Sequence, residues 1–234
     1  MKFFYFIFTI LSLTSSYGQV KNIYLEYEII LQNEPDLFKE NTMMRGLFEN
    51  AIKEANNVTF ELIVTKKGSK FSIKKNLESD GNKRVVGFTL AMLHYSGIIY
   101  SLNNKLLIQN SILGDNIYLE KDLIDNWILS DETKLIGDYL CYKANNIYKV
   151  INNSKTFEHP VVAWYCPKLP YKHGPNGYGN LPGLILELQV RNIMFGAKII
   201  KFNNEMEFDL NFLNRIKKLN EMELENAYKK FNGY

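Results

Sequence analysis

Hydrophobic residues along this chain alternate with polar ones in short runs, and Asn, Gly, Asp and Pro break the runs. From 22 to 31, Ile23, Leu25, Tyr27, Ile29 and Leu31 share one face of an extended segment, with Glu26 and Glu28 on the other, the period of a half-buried strand. Pro35 and Asp36 stop that strand and offer a helix cap. The period then changes. Met44, Leu47, Phe48, Ala51, Ile52 and Ala55 recur at three- and four-residue spacing, which predicts an amphipathic helix over 36–55. Alternation resumes with Val58, Phe60, Leu62 and Val64, and Gly68 turns the chain into a second strand carrying Phe71 and Ile73. Asp80-Gly81 marks a turn in the polar stretch 78–83. Segments 98–102 and 105–109 flank Asn103-Asn104, the composition of a two-residue hairpin loop. Short strands are expected at 117–119, 127–129, 135–136, 139–144 and 147–151, then an apolar strand at 161–166 and a pair at 184–190 and 194–202. Near the end, Leu213, Ile216, Leu219, Leu224, Ala227, Tyr228 and Phe231 form a loose apolar stripe among Lys and Glu, predicting a helix capped by Asp209 that covers the sheet.

Strands follow strands instead of alternating with helices, so the expected fold class is α+β: a predominantly antiparallel, curved, half-barrel-like sheet, with one helix near the N-terminus and one at the C-terminus. No linker, repeat or low-complexity segment divides it.

The first residues follow a different logic. Lys2 precedes an apolar run from Phe3 to Leu13, then Thr14, Ser15 and Ser16, with Gly18 before Gln19, the order of a secretory signal peptide over 1–18. The run is short for a membrane span, and no Cys near the cleavage point offers a lipid anchor. Cleavage after Gly18 would leave 216 of the 234 residues, a single domain over 19–234, and would lower the net charge from +3 to +2 by removing Lys2. The expected location is therefore periplasmic or secreted, with no membrane span in the mature chain.

Composition narrows the classes. With 46% hydrophobic residues and 28 basic against 25 acidic side chains, the chain is neither intrinsically disordered nor basic enough to suggest nucleic-acid binding. Familiar catalytic signatures are missing: no Gly-x-Ser-x-Gly elbow, no His-Glu-x-x-His, no phosphate-binding loop and no Cys-x-x-Cys pair. No catalytic residue, cofactor or metal ligand is nominated. The two cysteines, Cys141 and Cys166, lie in segments read as strands, and in an oxidising compartment they form either a cross-strand disulfide or two buried thiols. His159 and His173 flank the Cys166 strand, so a metal-linked version of the protein would bring these four residues together.

The most distinctive stretch runs from Val162 to Pro175 and on through Leu181, Pro182 and Gly183. Prolines and glycines among large aromatics build a loop of one shape that either plugs the end of the sheet or serves as a ligand platform, in which case Trp164, Tyr165 and Tyr171 are the residues it would offer. Gly174, Pro175, Leu181, Pro182 and Gly183 are its structural elements.

Asn180-Leu181-Pro182-Gly183-Leu184-Ile185 resembles the six-residue motif of the GLPGLI family, exported proteins typical of Bacteroidetes, with Asn180 in place of the first glycine. Trp127 with the segment from Glu132 to Gly137, Cys141-Tyr142-Lys143-Ala144, and Ala163-Trp164-Tyr165 leading to Leu169-Pro170 and Gly174-Pro175 are similar to other segments of that family. The family pattern does not demand Cys166, so a disulfide would belong to this chain. The resemblance implies export, a β-rich domain, structural tryptophans at Trp127 and Trp164, and no established activity. The expected role is that of a non-catalytic envelope protein that binds an apolar ligand, a peptide or an envelope partner. An apolar pocket is expected between the concave sheet and the helices at 36–55 and 210–231. A metal-linked accessory of an outer-membrane receptor or peptide-export system is the first alternative, and a hydrolase is the second.

Overall fold

The computed structural model describes residues 22–74, 83–152, 155–203 and 205–233. The expected signal peptide and the Asp80-Gly81 turn lie outside these residues. The first half comprises β1 (Ile23–Leu31), α1 (Thr42–Ala55), β2 (Thr59–Thr65), β3 (Gly68–Ile73), α2 (Lys83–Met92), β4 (Ile99–Leu102), β5 (Lys105–Gln109) and β6 (Ile117–Asp122). The second comprises β7 (Ile128–Ile136), β8 (Tyr139–Asn152), β9 (Lys155–Cys166), β10 (Leu184–Val190), β11 (Ile193–Phe202), β12 (Lys217–Leu219) and α3 (Glu221–Phe231). The strands make one open, curved sheet in the order β12-β6-β5-β4-β3-β2-β1-β11-β10-β9-β8-β7. All its pairings are antiparallel except β12 with β6.

β1 sits inside the sheet, with Ile23 opposite Val64 of β2 on one side and Phe202 of β11 on the other. Its alternating residues Ile23, Leu25, Tyr27, Ile29 and Leu31 are buried as the pattern predicts, but Tyr24 and Glu26 are buried too. The Tyr24 hydroxyl donates to Glu26 at 2.9 Å and the Lys74 ammonium to the same oxygen at 2.6 Å, which is how the acid tolerates its position. Burial opposes ionisation of Glu26, but these two donors outweigh it and hold the carboxyl below its usual range. Tyr27 donates to the Ile185 carbonyl at 2.6 Å, tying β1 to β10 where the β9–β10 register shifts between Ile185 and Glu187.

Apolar residues collect on both faces. The larger core joins the inward side chains of β1, β2 and β8–β11 to Phe48, Ala51 and Ala55 of α1 and to the loop residues Leu169, Tyr171, Tyr178 and Leu181. The second core packs Tyr100, Leu102, Leu107 and Tyr118 of β4–β6 against Phe208 and Phe212, with Phe212 stacked on Tyr100 at 4.4 Å between ring centres.

Several boundaries depart from the sequence pattern, each for a local reason. The first helix begins at 42 instead of 36: Phe38 takes a positive φ of 60°, which no helix accommodates, and Asn41 is the cap, accepting from the Met44 amide at 3.0 Å. The segments 127–129 and 135–136 merge into β7 across an irregularity between Leu129 and Thr133. Likewise 139–144 and 147–151 are one strand, because Asn145 and Asn146 pair with Val162 and Val161 instead of turning. The C-terminal helix starts at 221, not 209. Asn220 and Glu223 form its reciprocal cap, while the residues before it supply Phe208, Phe212 and β12 to the second core and the sheet edge. The pattern did not show α2 at all. Thr89 is its fully buried position, with Val85 half-buried one turn earlier and Leu93 buried just past its end, and the apolar period fails at Thr89, whose hydroxyl donates to the Val85 carbonyl at 2.8 Å. Asn103 and Asn104 take positive φ values of 50° and 61°, as their hairpin turn requires.

Candidate functional site

Beneath α2 lies a cavity of about 820 Å³. Leu90, Ala91 and Gly87 of α2 roof it, Ile99, Leu106, Ile108 and Leu119 of β4–β6 form its floor, and Asn176, Gly177 and Tyr178 close one side. The roof ends abruptly. The Tyr95 amide bonds back to Leu90 at 3.0 Å and the His94 amide to Ala91 at 3.1 Å, the paired closure of a helix end, with His94 in the left-handed position (φ 53°) usually given to glycine. That turn brings His94 and Tyr95 into the cavity wall.

Behind the wall stands an aromatic group. Tyr95 meets Phe60 edge-on at 4.9 Å, Phe60 stacks on Phe71 at 4.9 Å, and Phe195 closes on both. The Tyr95 hydroxyl accepts from the Ile73 amide at 3.3 Å, and burial pushes its phenol up to about 12. Three further polar side chains in the wall are already engaged. Ser96 donates to the Gln109 carbonyl at 2.9 Å, the Gln109 side chain accepts from Ile98 and donates to Asp115, and Ser111 donates to the Ser96 carbonyl at 2.8 Å. What faces the space is mainly aliphatic and aromatic, with His94, Lys121, Tyr148 and Tyr178 supplying polar atoms. His94 lies edge-on to Tyr148 at 5.5 Å, and Tyr148 stacks on His159 at 6.4 Å. Burial first, then the Arg191 and His159 charges, lower the His94 pKa, so near neutrality the imidazole is uncharged.

The proline- and glycine-rich loop forms the side wall through close backbone approach. Pro175 to Gly177 is a single tight turn in which Asn176 and Gly177 both have positive φ, and a Cβ on Gly177 would press on Leu106 and Ile99. Gly174 lies against Ile185, and a Cβ on Gly183 would collide with the Cys166 carbonyl. Leu181 is fully buried, Pro175 buried, and Pro182 exposed. Asn180 takes a positive φ of 63°, a backbone region that Asn enters more readily than most side chains. The Trp127 indole donates to the Gly179 carbonyl at 2.9 Å and meets Tyr178 edge-on, which pins the loop to the chain before β7. His173 is held inside this loop, and burial lowers its pKa to about 4, leaving it neutral.

The three aromatics expected to meet a ligand stand elsewhere. Trp164 is half-buried against the larger core with the Lys134 ammonium 4.5 Å above its ring, Tyr165 is buried beside Tyr142, and Tyr171 is part of the larger core. None of them lines the cavity. The roofing helix was also expected to come from 36–55 or 210–231, and the lining residues come from neither. The signal the sequence carries for this helix is the apolar run Val85, Val86, Phe88, Leu90, Ala91 and Met92, interrupted by Gly87 and Thr89.

Cys141 and Cys166 do come together. The β8–β9 register ends with Tyr142 opposite Tyr165, and one step further sets Cys141 opposite Cys166. Both are free and fully buried. The Cys141 thiol donates to the Tyr139 carbonyl at 3.6 Å. Burial, then the neighbouring thiol, pushes Cys141 up to about 12. His159 lies further down β9 and His173 within the loop, so the four do not form a cluster. Among the described residues no group of three or more His, Cys, Asp or Glu is placed to hold a metal ion. Among them, too, no helix is long and apolar enough to cross a membrane.

No curated protein matches the chain. Structures of PNGF-II in the P21 and C2 space groups share the fold, with TM-scores of 0.50 and 0.52 and 14% identity in each case. The matches cover 88% and 89% of this chain and 33% of theirs, so the chain spans about a third of the solved chains it resembles. At that identity the likeness is one of fold. The model of a Bacteroidetes-associated family, described as a protein of unknown function (Porph_ging), matches residues 150–187, the stretch that holds β9, the side-wall loop and the Asn180–Ile185 motif.

Proposed function

We propose that this is an exported, non-catalytic envelope protein that holds an apolar small molecule in the cavity beneath α2. The observation that carries the reading is the cavity itself: about 820 Å³, lined by aliphatic and aromatic side chains, with most wall hydroxyls and amides already hydrogen-bonded to protein. Such a space rewards an apolar guest and gives little to a polar one. The curved sheet would act as a half-barrel and α2 as its cover. Pocket volumes of roughly 300–1,000 Å³ are usual for small-molecule sites, so the size suits a single guest. Export rests on the leader pattern of residues 1–18.

The test combines two measurements. Native mass spectrometry of protein purified from its own envelope identifies a retained guest, and titration with 1-anilinonaphthalene-8-sulfonate measures apolar binding in the folded state. Ala91→Trp places an indole in the space and is expected to weaken probe binding at least tenfold with the far-UV circular dichroism unchanged. Probe binding that is equal in wild type and Ala91→Trp, together with no retained guest, would refute the reading.

A further inference from the structure

We infer that Cys141 and Cys166 close as a cross-strand disulfide that fastens the root of the side-wall loop to β8. This inference is independent of what the cavity holds. The register places the two residues directly opposite each other at the end of the β8–β9 ladder, in a row that runs Lys134, Cys141, Cys166, Leu184 across four strands. Directly opposed residues in an antiparallel pair point to the same face, with Cα atoms about 4.5–5.5 Å apart. That interval falls inside the roughly 4.4–6.8 Å a disulfide spans. Both thiols are fully buried at this end of the ladder, and each is close enough to the other that Cys166 raises the Cys141 pKa.

The position gives the bond a structural consequence. Cys166 is the last residue of β9, its carbonyl accepts from the Leu169 amide at 3.1 Å, and the Gly183 backbone packs against it where the loop returns. Both ends of the loop therefore meet at Cys166, and a bond to Cys141 fixes that junction to the neighbouring strand.

The chemistry is thiol–disulfide exchange. The thiolate of one cysteine attacks an oxidant disulfide and releases one oxidant thiol; the second cysteine then displaces the mixed disulfide and releases the other. Two cysteine thiols become one sulfur–sulfur bond, and the oxidant takes up the two electrons and two protons. Full burial and the raised thiol pKa of Cys141 block the first attack once the sheet has formed, so closure takes place while the chain folds. A molecule folded reduced stays reduced.

The experiment starts from the full chain, unfolded in guanidinium with dithiothreitol and refolded by dilution either into reductant or into mixed reduced and oxidised glutathione. Oxidative refolding is expected to yield a product lighter by two hydrogen atoms, with one Cys141–Cys166 linked peptide in an unreduced digest. Its Tm should fall by about 5–10 °C when it is refolded reduced instead, from the loop-closure effect of a bond across about 25 residues in a chain of this size. The Cys166→Ala variant should show no such redox-dependent shift. Adding glutathione disulfide to chain already folded reduced should leave both thiols free. Two alkylatable cysteines after oxidative refolding, glutathione attached to either one, or disulfide-linked dimers would overturn the inference. The mass and the linked peptide need no variant, so the test stands even where Cys166→Ala fails to fold.

Discussion

Replacing Tyr27 with Phe removes a single oxygen atom from the middle of the molecule. The ring is completely buried and meets Phe71 edge-on at 6.4 Å, and those contacts survive the substitution. What disappears is the 2.6 Å hydrogen bond to the Ile185 carbonyl. That carbonyl lies at the β9–β10 register shift, where water has no access, so it is left short of a donor. A buried hydrogen bond contributes about 0.5–1.5 kcal/mol net, and stranding its acceptor costs about 1–3 kcal/mol. The expected loss is therefore about 1–3 kcal/mol, or a Tm lower by about 3–9 °C for a chain of this length. Urea unfolding followed by circular dichroism measures it, with an unchanged m-value showing that the native surface is preserved. Burial holds the Tyr27 phenol far above its ordinary pKa, so the hydroxyl stays protonated and the difference between the two proteins should be flat from about pH 6 to pH 9. A loss under about 0.3 kcal/mol, or a difference that changes with pH in that range, would show that the bond does not anchor β1 to β10.

Two further expectations concern other parts of the fold. Glu26→Gln should lose about 2 kcal/mol at pH 7 by weakening the bonds from Lys74 and Tyr24. Because the folded pKa of Glu26 is depressed, that stabilisation is complete above the unfolded value of about 4.3 and fades as the pH falls through the folded value; unfolding midpoints of the two proteins should converge in acid, and a constant gap would contradict the assignment. Gly183→Ala forces a methyl into the Cys166 carbonyl and should lower stability by about 2–4 kcal/mol, whereas Gly196→Ala, with open space around the added atom, should change it by less than about 1 kcal/mol; equal effects on Tm would refute the close-approach argument.

How far the chain could be read from its letters depended on whether a residue's partner was local. β1 follows from its two-residue alternation, and the β2–β3 and β4–β5 hairpins and the β10–β11 pair follow from alternation and turn residues, because hairpin register is set by neighbours in sequence. The mostly antiparallel sheet followed from the same signal. The cavity did not, since its roof is a helix whose inward stripe contains Thr89, and a threonine bonded to its own backbone reads as polar in sequence while packing as apolar in the fold. The strand extent of β8 was hidden for a related reason: Asn145 and Asn146 look like turn formers until Val162 and Val161 are seen across from them. Trp164, expected to fill the core, is half-buried against it with Lys134 over its ring, a placement fixed by cross-strand register that no single segment records. The sequence leaves Cys141 and Cys166 as either a cross-strand disulfide or two buried thiols, and the β8–β9 register, continued one step, sets them opposite each other.

The long reach of β1 has a kinetic consequence. Its inner partner β2 is close behind it in the chain, but its other partner, β11, pairs Phe202 with Ile23, and the Tyr27 bond spans 158 residues. Until that distant strand arrives, one whole edge of β1 presents unpaired amides and carbonyls beside a run of apolar side chains. Topologies dominated by such distant pairings fold slowly, on the scale of milliseconds to seconds, and expose association-prone edges while they wait. A chain of this design spends the interval before β11 docks as its own most dangerous partner, and expression at low temperature or with a holding chaperone should raise the yield of monomer before any residue is changed.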